Sequence, residues 1–286
     1  MAEIAASMVM KLRRMSGQGM MDCKKALIET GGDIEEAMAL LRKKGLATLA
    51  RRAGRETTEG RVVCKKDTEG KTAAMATLCC ETDFVAKSDD FIVAADALGK
   101  YLLACDNDEG PGSILETSVD GRKFSEVLTE AVSKTGEKIE VGDFTRYSAG
   151  DAGVIGTYVH FNNKVGAMVQ IEADAGEAAK ALSSTAADIA MHITAIKPVA
   201  VDSDSIDPAI IEREKEIAAE QMKNKPANII DKIVEGKMKK FFKENCLVEQ
   251  PFVKDDSKTV RETLAGAAKQ AGGDAKIKRF ARFEIG

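Results

Sequence analysis

Apolar positions recur at helical spacing in three short runs at the start of the chain. Ile4, Met8 and Leu12 fall on one face, the glycines of Ser16-Gly17-Gln18-Gly19 break that run, and Met21 to Glu29 resumes as a second helix. Gly31-Gly32 ends it. Asp33 then caps a third helix with Glu36 three residues on, and Ile34, Met38 and Leu41 line its buried side until Gly45 stops it. Leu46 to Arg55 reads as a basic linker, with Arg51, Arg52 and Arg55 set among alanines. From Gly60 the period shortens. Arg61 to Lys65, a turn at Asp67-Thr68-Glu69-Gly70, and Thr72 to Cys80 predict a β-hairpin, and helical spacing returns from Asp89 to Ala104. A Gly/Pro-containing loop at Asp106 to Gly112 leads to a helix from about Phe124 to Lys134 and a strand from Ile139 to Tyr147.

A second hairpin, Val154 to His160 and Lys164 to Glu172, turns at Phe161-Asn162-Asn163. An offset of 93 residues lays Gly60 on Gly153 and Lys71-Thr72-Ala73-Ala74-Met75 on Lys164-Val165-Gly166-Ala167-Met168, and a helix follows each hairpin. Two related α+β units are implied. Past Pro198 the texture changes again. Pro208 starts a helix that runs from Ile210 to Met222 with a strongly charged face, Lys225-Pro226 interrupts it, and Ile229, Ile230, Ile233, Val234 and Met238 continue the apolar spacing toward Phe241-Phe242. This predicts a helical hairpin standing out as an arm. Gln250-Pro251-Phe252-Val253 returns to extended chain, and Thr259 with Glu262 predicts a capped helix to Gln270. In a last strand, Lys276 to Ile285, the residues Ile277, Arg279, Ala281, Phe283 and Ile285 alternate onto one face.

The expected class is α+β. Residues 1–54 form a three-helix bundle similar to a ubiquitin-associated (UBA-like) domain with its basic linker, 55–148 a first core subdomain, and 149–206 a second, completed by a C-terminal module at 246–286; residues 207–245 form the coiled-coil-like arm. So small a bundle buries little by itself, so docking on a larger partner is expected. Of the 286 residues 46 are acidic and 42 basic, a net charge of −4, so no global basic field argues for nucleic acid. Cys23, Cys64, Cys79, Cys80, Cys105 and Cys246 lack CxxC spacing and there are two histidines, so no metal set is expected and the cysteines read as free thiols. No apolar run approaches the roughly 18 residues of a membrane span, which points to a cytoplasmic protein. Phosphate-loop, dinucleotide and nucleophile-elbow motifs are absent, so neither covalent catalysis nor a cofactor is expected.

Candidate contact residues are few. Glu81-Thr82-Asp83-Phe84-Val85-Ala86-Lys87 occupies the corner between the first hairpin and its helix, where Thr82 or Asp83 can cap the turn. Phe84 either folds back into the core, as Phe most often does, or stands outward as a wedge. The second unit turns the same corner with Asp174-Ala175-Gly176-Glu177-Ala178-Ala179-Lys180, without an aromatic, which favours the outward reading. Of Met20 and Met21, one is expected in the core and the other as an adaptable contact, with Lys24, Lys25 and Arg52 forming either its basic rim or a solvated edge. His160 at a hairpin tip reads as a surface contact and His192 as packed, and Lys237-Met238-Lys239-Lys240 reads as a solvated helix face.

Leu12-Arg13, Gly17-Gln18-Gly19-Met20-Met21-Asp22-Cys23-Lys24-Lys25-Ala26-Leu27, Gly32-Asp33-Ile34-Glu35 and Thr82-Asp83-Phe84-Val85-Ala86-Lys87 occur in the order found in one family. So do Ile189-Ala190-Met191-His192-Ile193, Val234-Glu235-Gly236-Lys237-Met238-Lys239-Lys240-Phe241, Gln250-Pro251-Phe252-Val253 and Arg282-Phe283-Glu284-Ile285-Gly286. On these residues the chain resembles the bacterial elongation factor Ts family, the nucleotide exchange factors of elongation factor Tu. Ser16, Thr77, Cys79 and Thr135 depart from the family's usual residues.

The resemblance implies that Asp83 and Phe84, flanked by Thr82 and Val85, enter the GTPase domain of elongation factor Tu between two helices and disturb its magnesium and phosphate sites. It implies that Leu12, Arg13, Met20, Met21 and Lys24, with Arg52, grip that domain, and that Thr135, Gly136 and His160 add core contacts, the His160 hairpin facing the partner's third domain. Elongation factor Tu, GDP-bound and nucleotide-free, is the expected partner. A homodimer and a complex of two chains with two partners are both open, and neither membrane nor direct nucleic-acid contact is expected. Two other classes are weighed beside it: a passive adaptor, which would bind without changing GDP release, and an RNA-binding protein using Arg51, Arg52, Arg55 and Lys237 to Lys240, whose affinity would fall steeply with salt.

Overall fold

The three opening runs fold as α1 (Ala6–Ser16), α2 (Met20–Glu29) and α3 (Ile34–Arg52) in the computed structural model, which describes residues 4–220 and 227–286. Val9, Leu12, Cys23, Ala26, Leu27, Ala37 and Leu41 form their common core, with Ile4, Met8, Ile34 and Met38 packed at its margin. The Asp33 carboxylate accepts the Glu36 N–H at 2.9 Å, so α3 has the cap its sequence predicts. Its end differs from expectation. α3 runs through Gly45 to Arg52, so most of the expected linker is helix.

Next come β1 (Glu59–Lys66), β2 (Thr72–Cys80), the single turn α4 (Asp83–Ala86) and α5 (Asp89–Ala104). At the end of the expected Asp106 to Gly112 loop a short α6 (Pro111–Glu116) starts on its first-turn proline. The two-residue strands β3 (Ser118–Val119) and β4 (Arg122–Lys123) lead to α7 (Phe124–Thr135) and β5 (Ile139–Ser148). β5 pairs antiparallel with β2, giving a sheet of order β1-β2-β5. α3 lies against α7, which explains Gly45: a Cβ there would sit 2.8 Å from the Thr129 carbonyl oxygen and 3.0 Å from the Ser133 Cβ. Gly45 therefore permits close helix approach and does not terminate a helix.

The second half repeats the plan. β6 (Gly153–Val159), β7 (Val165–Ala173), α8 (Gly176–Ala181) and α9 (Ser183–Ile196) follow. After them come the arm helices α10 (Pro208–Glu220) and α11 (Ala227–Asn245), then β8 (Pro251–Phe252), β9 (Asp255–Thr259), α12 (Val260–Gln270) and β10 (Ala275–Glu284). The 93-residue offset carries β2 onto β7 at both ends and the start of α4 onto the start of α8. The third strand of the second sheet comes from the far end of the chain, giving β10-β7-β6. Thr259 and Glu262 close the expected capping box on α12. At the base of the arm, Ala200, Ile206 and Cys246 pack with Ile211, Phe241 and Phe242. Met222, the interruption at Lys225-Pro226 and the side chains of Ile229 and Ile230 lie outside the described residues.

The two sheets face one another, with helices outside each. β2 shows why its run is small and apolar throughout: both faces are covered. Ala74, Ala76, Leu78 and Cys80 pack under α5 and α7 against Phe91, Leu98, Leu102 and Phe124, while Ala73, Met75 and Cys79 face Ile155, Met168 and Ile285 between the sheets. Cys79 and Cys80 thus part to opposite faces, and all six cysteines are free. β10 corrects one expectation. A bulge between Ile277 and Arg279 shifts the register, so Ile277 packs with Phe280 toward α9 and α12, and Ala281, Phe283 and Ile285 pack between the sheets. One extra residue inverts the alternation beyond it.

Candidate partner-binding site

The corner after β2 is built from polar residues that hold the backbone and apolar ones that anchor its inner side. Thr82, in extended conformation, caps α4 by accepting the Val85 N–H at 3.4 Å, and Ser88 caps α5 in the same way from Phe91. Ala86 is buried and Val85 is half-buried against the α5–α7 core, so these two fix one side of the turn. Arg61 binds the Ala86 carbonyl through its Nε at 3.2 Å. With the inner positions taken, Phe84 faces away and is 83% exposed. The reading in which it folds into the core is excluded.

Asp83 stands beside the ring. Its Oδ2 accepts a hydrogen bond from Lys87 Nζ at 2.7 Å, and that ammonium holds the carboxyl below the usual aspartate range. The pair is exposed, so it orients Asp83 without burying its charge.

Two more carboxylates grip the corner from behind. Glu137 accepts the Thr82 N–H at 3.0 Å and the Thr82 hydroxyl at 2.7 Å. Glu81 accepts Arg52 Nη1 at 2.8 and 2.7 Å and the Lys138 N–H at 2.7 Å. Burial alone would raise the Glu81 carboxyl, but the Lys138 N–H and the Arg52 guanidinium outweigh it and hold its pKa below the ordinary value. Arg52, expected at the methionine edge of the bundle, belongs to this corner instead. Thr135 and Gly136 lead directly into Glu137: the Thr135 hydroxyl donates to the Ala131 carbonyl at 2.9 Å, and Gly136, with φ of 72°, closes α7 in the left-handed conformation.

On the bundle, Arg13 and Lys24 are exposed. Leu12 is not: at 0% exposure it is a core residue, and the contact role expected for it fails because its side of α1 faces α2 and α3. Met20 and Met21 correct another expectation, since both are exposed, at 41% and 62%, while Cys23, Ala26 and Leu27 supply the buried face of α2. Met10, Met15 and Ile28 are also exposed, which widens the apolar surface beyond the pair that the sequence singles out.

At the second hairpin His160 lies between Tyr158, whose hydroxyl is 3.3 Å from His160 Nδ1, and Phe161, whose ring centroid is 4.4 Å away. Phe161 is 86% exposed, and the sequence reading names it only as a turn residue. The signal was available, because an aromatic in a hairpin turn has no core to enter. His192 is packed as expected, with Nε2 2.9 Å from Gln250 Oε1 and Nδ1 accepting the Val253 N–H at 3.2 Å. Among the described residues no group of three or more His, Cys, Asp or Glu is placed to hold a metal ion, and no helix is long and apolar enough to cross a membrane.

Comparison with known proteins gives a consistent family. The family model Elongation factor TS matches residues 81–286. The chain is 40% identical over 290 residues to elongation factor Ts of Desulfovibrio desulfuricans, covering 100% of this chain and 99% of that protein. It is 42% identical over 290 residues to elongation factor Ts of Nautilia profundicola, with 100% and 94% covered, and 41% identical over 287 residues to that of Aquifex aeolicus, with 97% and 96% covered.

Proposed function

Because the chain belongs to the elongation factor Ts family, whose members are guanine-nucleotide exchange factors of elongation factor Tu, we propose that its Thr82-Asp83-Phe84-Val85 corner drives GDP release from that partner. Exchange is its function, and no covalent step is involved. The observation that supports the corner's role is an aromatic ring offered to solvent on a turn capped at both ends. Such a ring has apolar surface to bury only in a partner, and its backbone is ordered before the encounter, so little ordering cost falls on binding.

The mechanism is differential affinity. Phe84 gains burial when two helices of the GTPase domain part, and Asp83 brings a carboxylate toward the magnesium and phosphate sites. With magnesium displaced, the diphosphate charge is less neutralised and GDP leaves faster. Since binding is reciprocal, GDP weakens the grip of the factor by the same ratio as the factor weakens that of GDP. Arg13, Met20, Met21 and Lys24 hold the GTPase domain, and His160, joined by Phe161, meets the third domain of the partner.

This assigns residues 1–54 to gripping and 55–148 to the wedge; 149–206 with 246–286 carry the second contact, and 207–245 the arm. The shared strand and corner order at the 93-residue offset supports that division. The working site is the cytoplasm, as a homodimer or as two chains with two partners. The test is release of labelled GDP from elongation factor Tu with and without the chain, across magnesium concentrations. Acceleration that shrinks as magnesium rises is expected; an unchanged release rate would overturn the reading.

A further inference from the structure

We infer that Glu137 is a positioning residue for exchange: delivered by the turn after α7, its carboxylate fixes Thr82 and through it the direction in which Phe84 is presented. The inference rests on the reading that Phe84 drives GDP release.

Thr82 has two demands to meet, one of its backbone and one of its side chain. It is the point where a β-strand becomes a helix, so its N–H has left the strand ladder and its hydroxyl must serve as a cap. Glu137 answers both needs with one group, taking the N–H on one oxygen and the hydroxyl proton on the other. Once that proton is committed to Glu137, the lone pairs of Thr82 Oγ1 are left for the Val85 N–H, which is the cap that starts α4. Removing the carboxylate frees the hydroxyl to rotate and takes the acceptor from the N–H, so the first turn, which carries Asp83 and Phe84, loses its fixed direction. The neighbouring residue is braced from the same turn, since Glu81 accepts the Lys138 N–H.

The second corner shows that this bracing is not needed merely to turn the chain. Before α8 the cap position is Ala175, with no side-chain cap, and the strand still passes into helix. What the first corner has in addition is a ring to aim. Sequence pattern hides the arrangement, because Thr82 and Glu137 are 55 residues apart.

The test uses the full chain and elongation factor Tu loaded with fluorescent GDP, with stopped-flow release followed over a range of chain concentrations. The variants are Phe84→Ala, Glu137→Ala, Glu137→Gln, Thr82→Val and the double variant Thr82→Val with Glu137→Ala. Glu137→Ala is expected to lower the maximal release rate about tenfold, short of the roughly hundredfold that an ångström of misplacement can cost, with the half-saturating concentration nearly unchanged. Thr82→Val should match it, and the double variant should be no worse than either single, as for two groups in one interaction. Glu137→Gln still offers an acceptor to the N–H and a donor to the hydroxyl oxygen, so it should recover most of the rate. If Glu137→Ala does not fold, the rescue by Gln and the loss in Thr82→Val carry the test. Normal release by Glu137→Ala beside slow release by Phe84→Ala overturns the inference and leaves the wedge reading standing. Normal release by Phe84→Ala overturns both. Loss in Glu137→Ala through weaker binding, without rescue by Gln, assigns the residue to stability alone and also overturns it.

Discussion

Replacing Phe84 with Ala separates fold from function. The ring is 83% exposed, so its removal deletes almost no buried contact. Surface substitutions of this kind stay within about 0.5 kcal/mol, and Ala is the better helix former in α4, so the melting temperature should move by no more than about 2 °C. The complex is different. Full burial of a phenylalanine side chain is worth about 1.5–3 kcal/mol, which corresponds to roughly ten- to hundredfold in a rate or equilibrium constant. Where that burial occurs only after the partner's helices part, the loss falls on the release step and not on encounter. Stopped-flow measurement should therefore show the maximal GDP release rate lowered by that factor, with the half-saturating concentration little changed. A correctly folded variant that releases GDP within about twofold of wild type would refute the reasoning, because it would mean the ring never leaves water.

Three further outcomes follow from the packing and the titrating groups. Leu12→Ala removes a fully buried side chain from the bundle core and should cost about 2–5 kcal/mol of bundle stability, whereas Met21→Ala should leave stability unchanged; denaturant unfolding followed by helical signal distinguishes them, and equal effects would refute the assignment. Gly45→Val drives a side chain into the Thr129 carbonyl and should loosen the contact of α3 with α7 by about 1–3 kcal/mol, seen as faster amide hydrogen exchange in α3 and α7, with unchanged protection counting against it. For His192, burial pushes the pKa below 6.5, outweighing the Gln250 contact, so the unfolded chain takes up a proton that the folded chain refuses; the stability this neutral ring contributes is fully present above about pH 6.5 and declines as pH falls through the folded pKa. Urea midpoints at pH 7.5 and 5.5 should differ more for wild type than for His192→Gln, and identical pH dependence in the two would refute it.

What the sequence discloses, and what it hides, follows from the range of the interactions involved. The hairpins, caps and corner are legible because each is written in adjacent residues: a small, apolar, β-compatible run from Thr72 to Cys80, a cap at Thr82, helical spacing from Asp89. The outward side of Phe84 was legible only by comparing the two corners, since the local preference of Phe is inward. Gly45 misled because glycine both ends helices and admits close neighbours, and only α7, some eighty residues on, decides between them. Resemblance implies a contact for Leu12, although its spacing with Met8 places it on the core face. The bulge at Ile277 and Arg279 gives no sign in a pattern read one strand at a time, and the Glu81 and Glu137 bonds join residues too distant in sequence for any periodicity to connect.

The way the bundle is attached bears on how a two-point contact can strain a partner. A flexible linker between grip and wedge would let the grip raise the wedge's effective concentration but would transmit no strain to the partner. Here α3 is continuous to Arg52, lies against α7 through Gly45, and ends in an ion pair with Glu81 at the corner itself. Lys134, on α7, adds a second tie: its side chain passes over Gly17 in the loop before Met20 and pairs with Asp90 in the first turn of α5 at 3.7 Å. The surface that carries Arg13, Met20 and Met21 and the turn that carries Phe84 are therefore joined by packed helices and charged bonds. On the proposed mechanism, a GTPase domain held at the first surface must deform to accept the ring at the second, because α3, α7 and these charged bonds tie the two surfaces together.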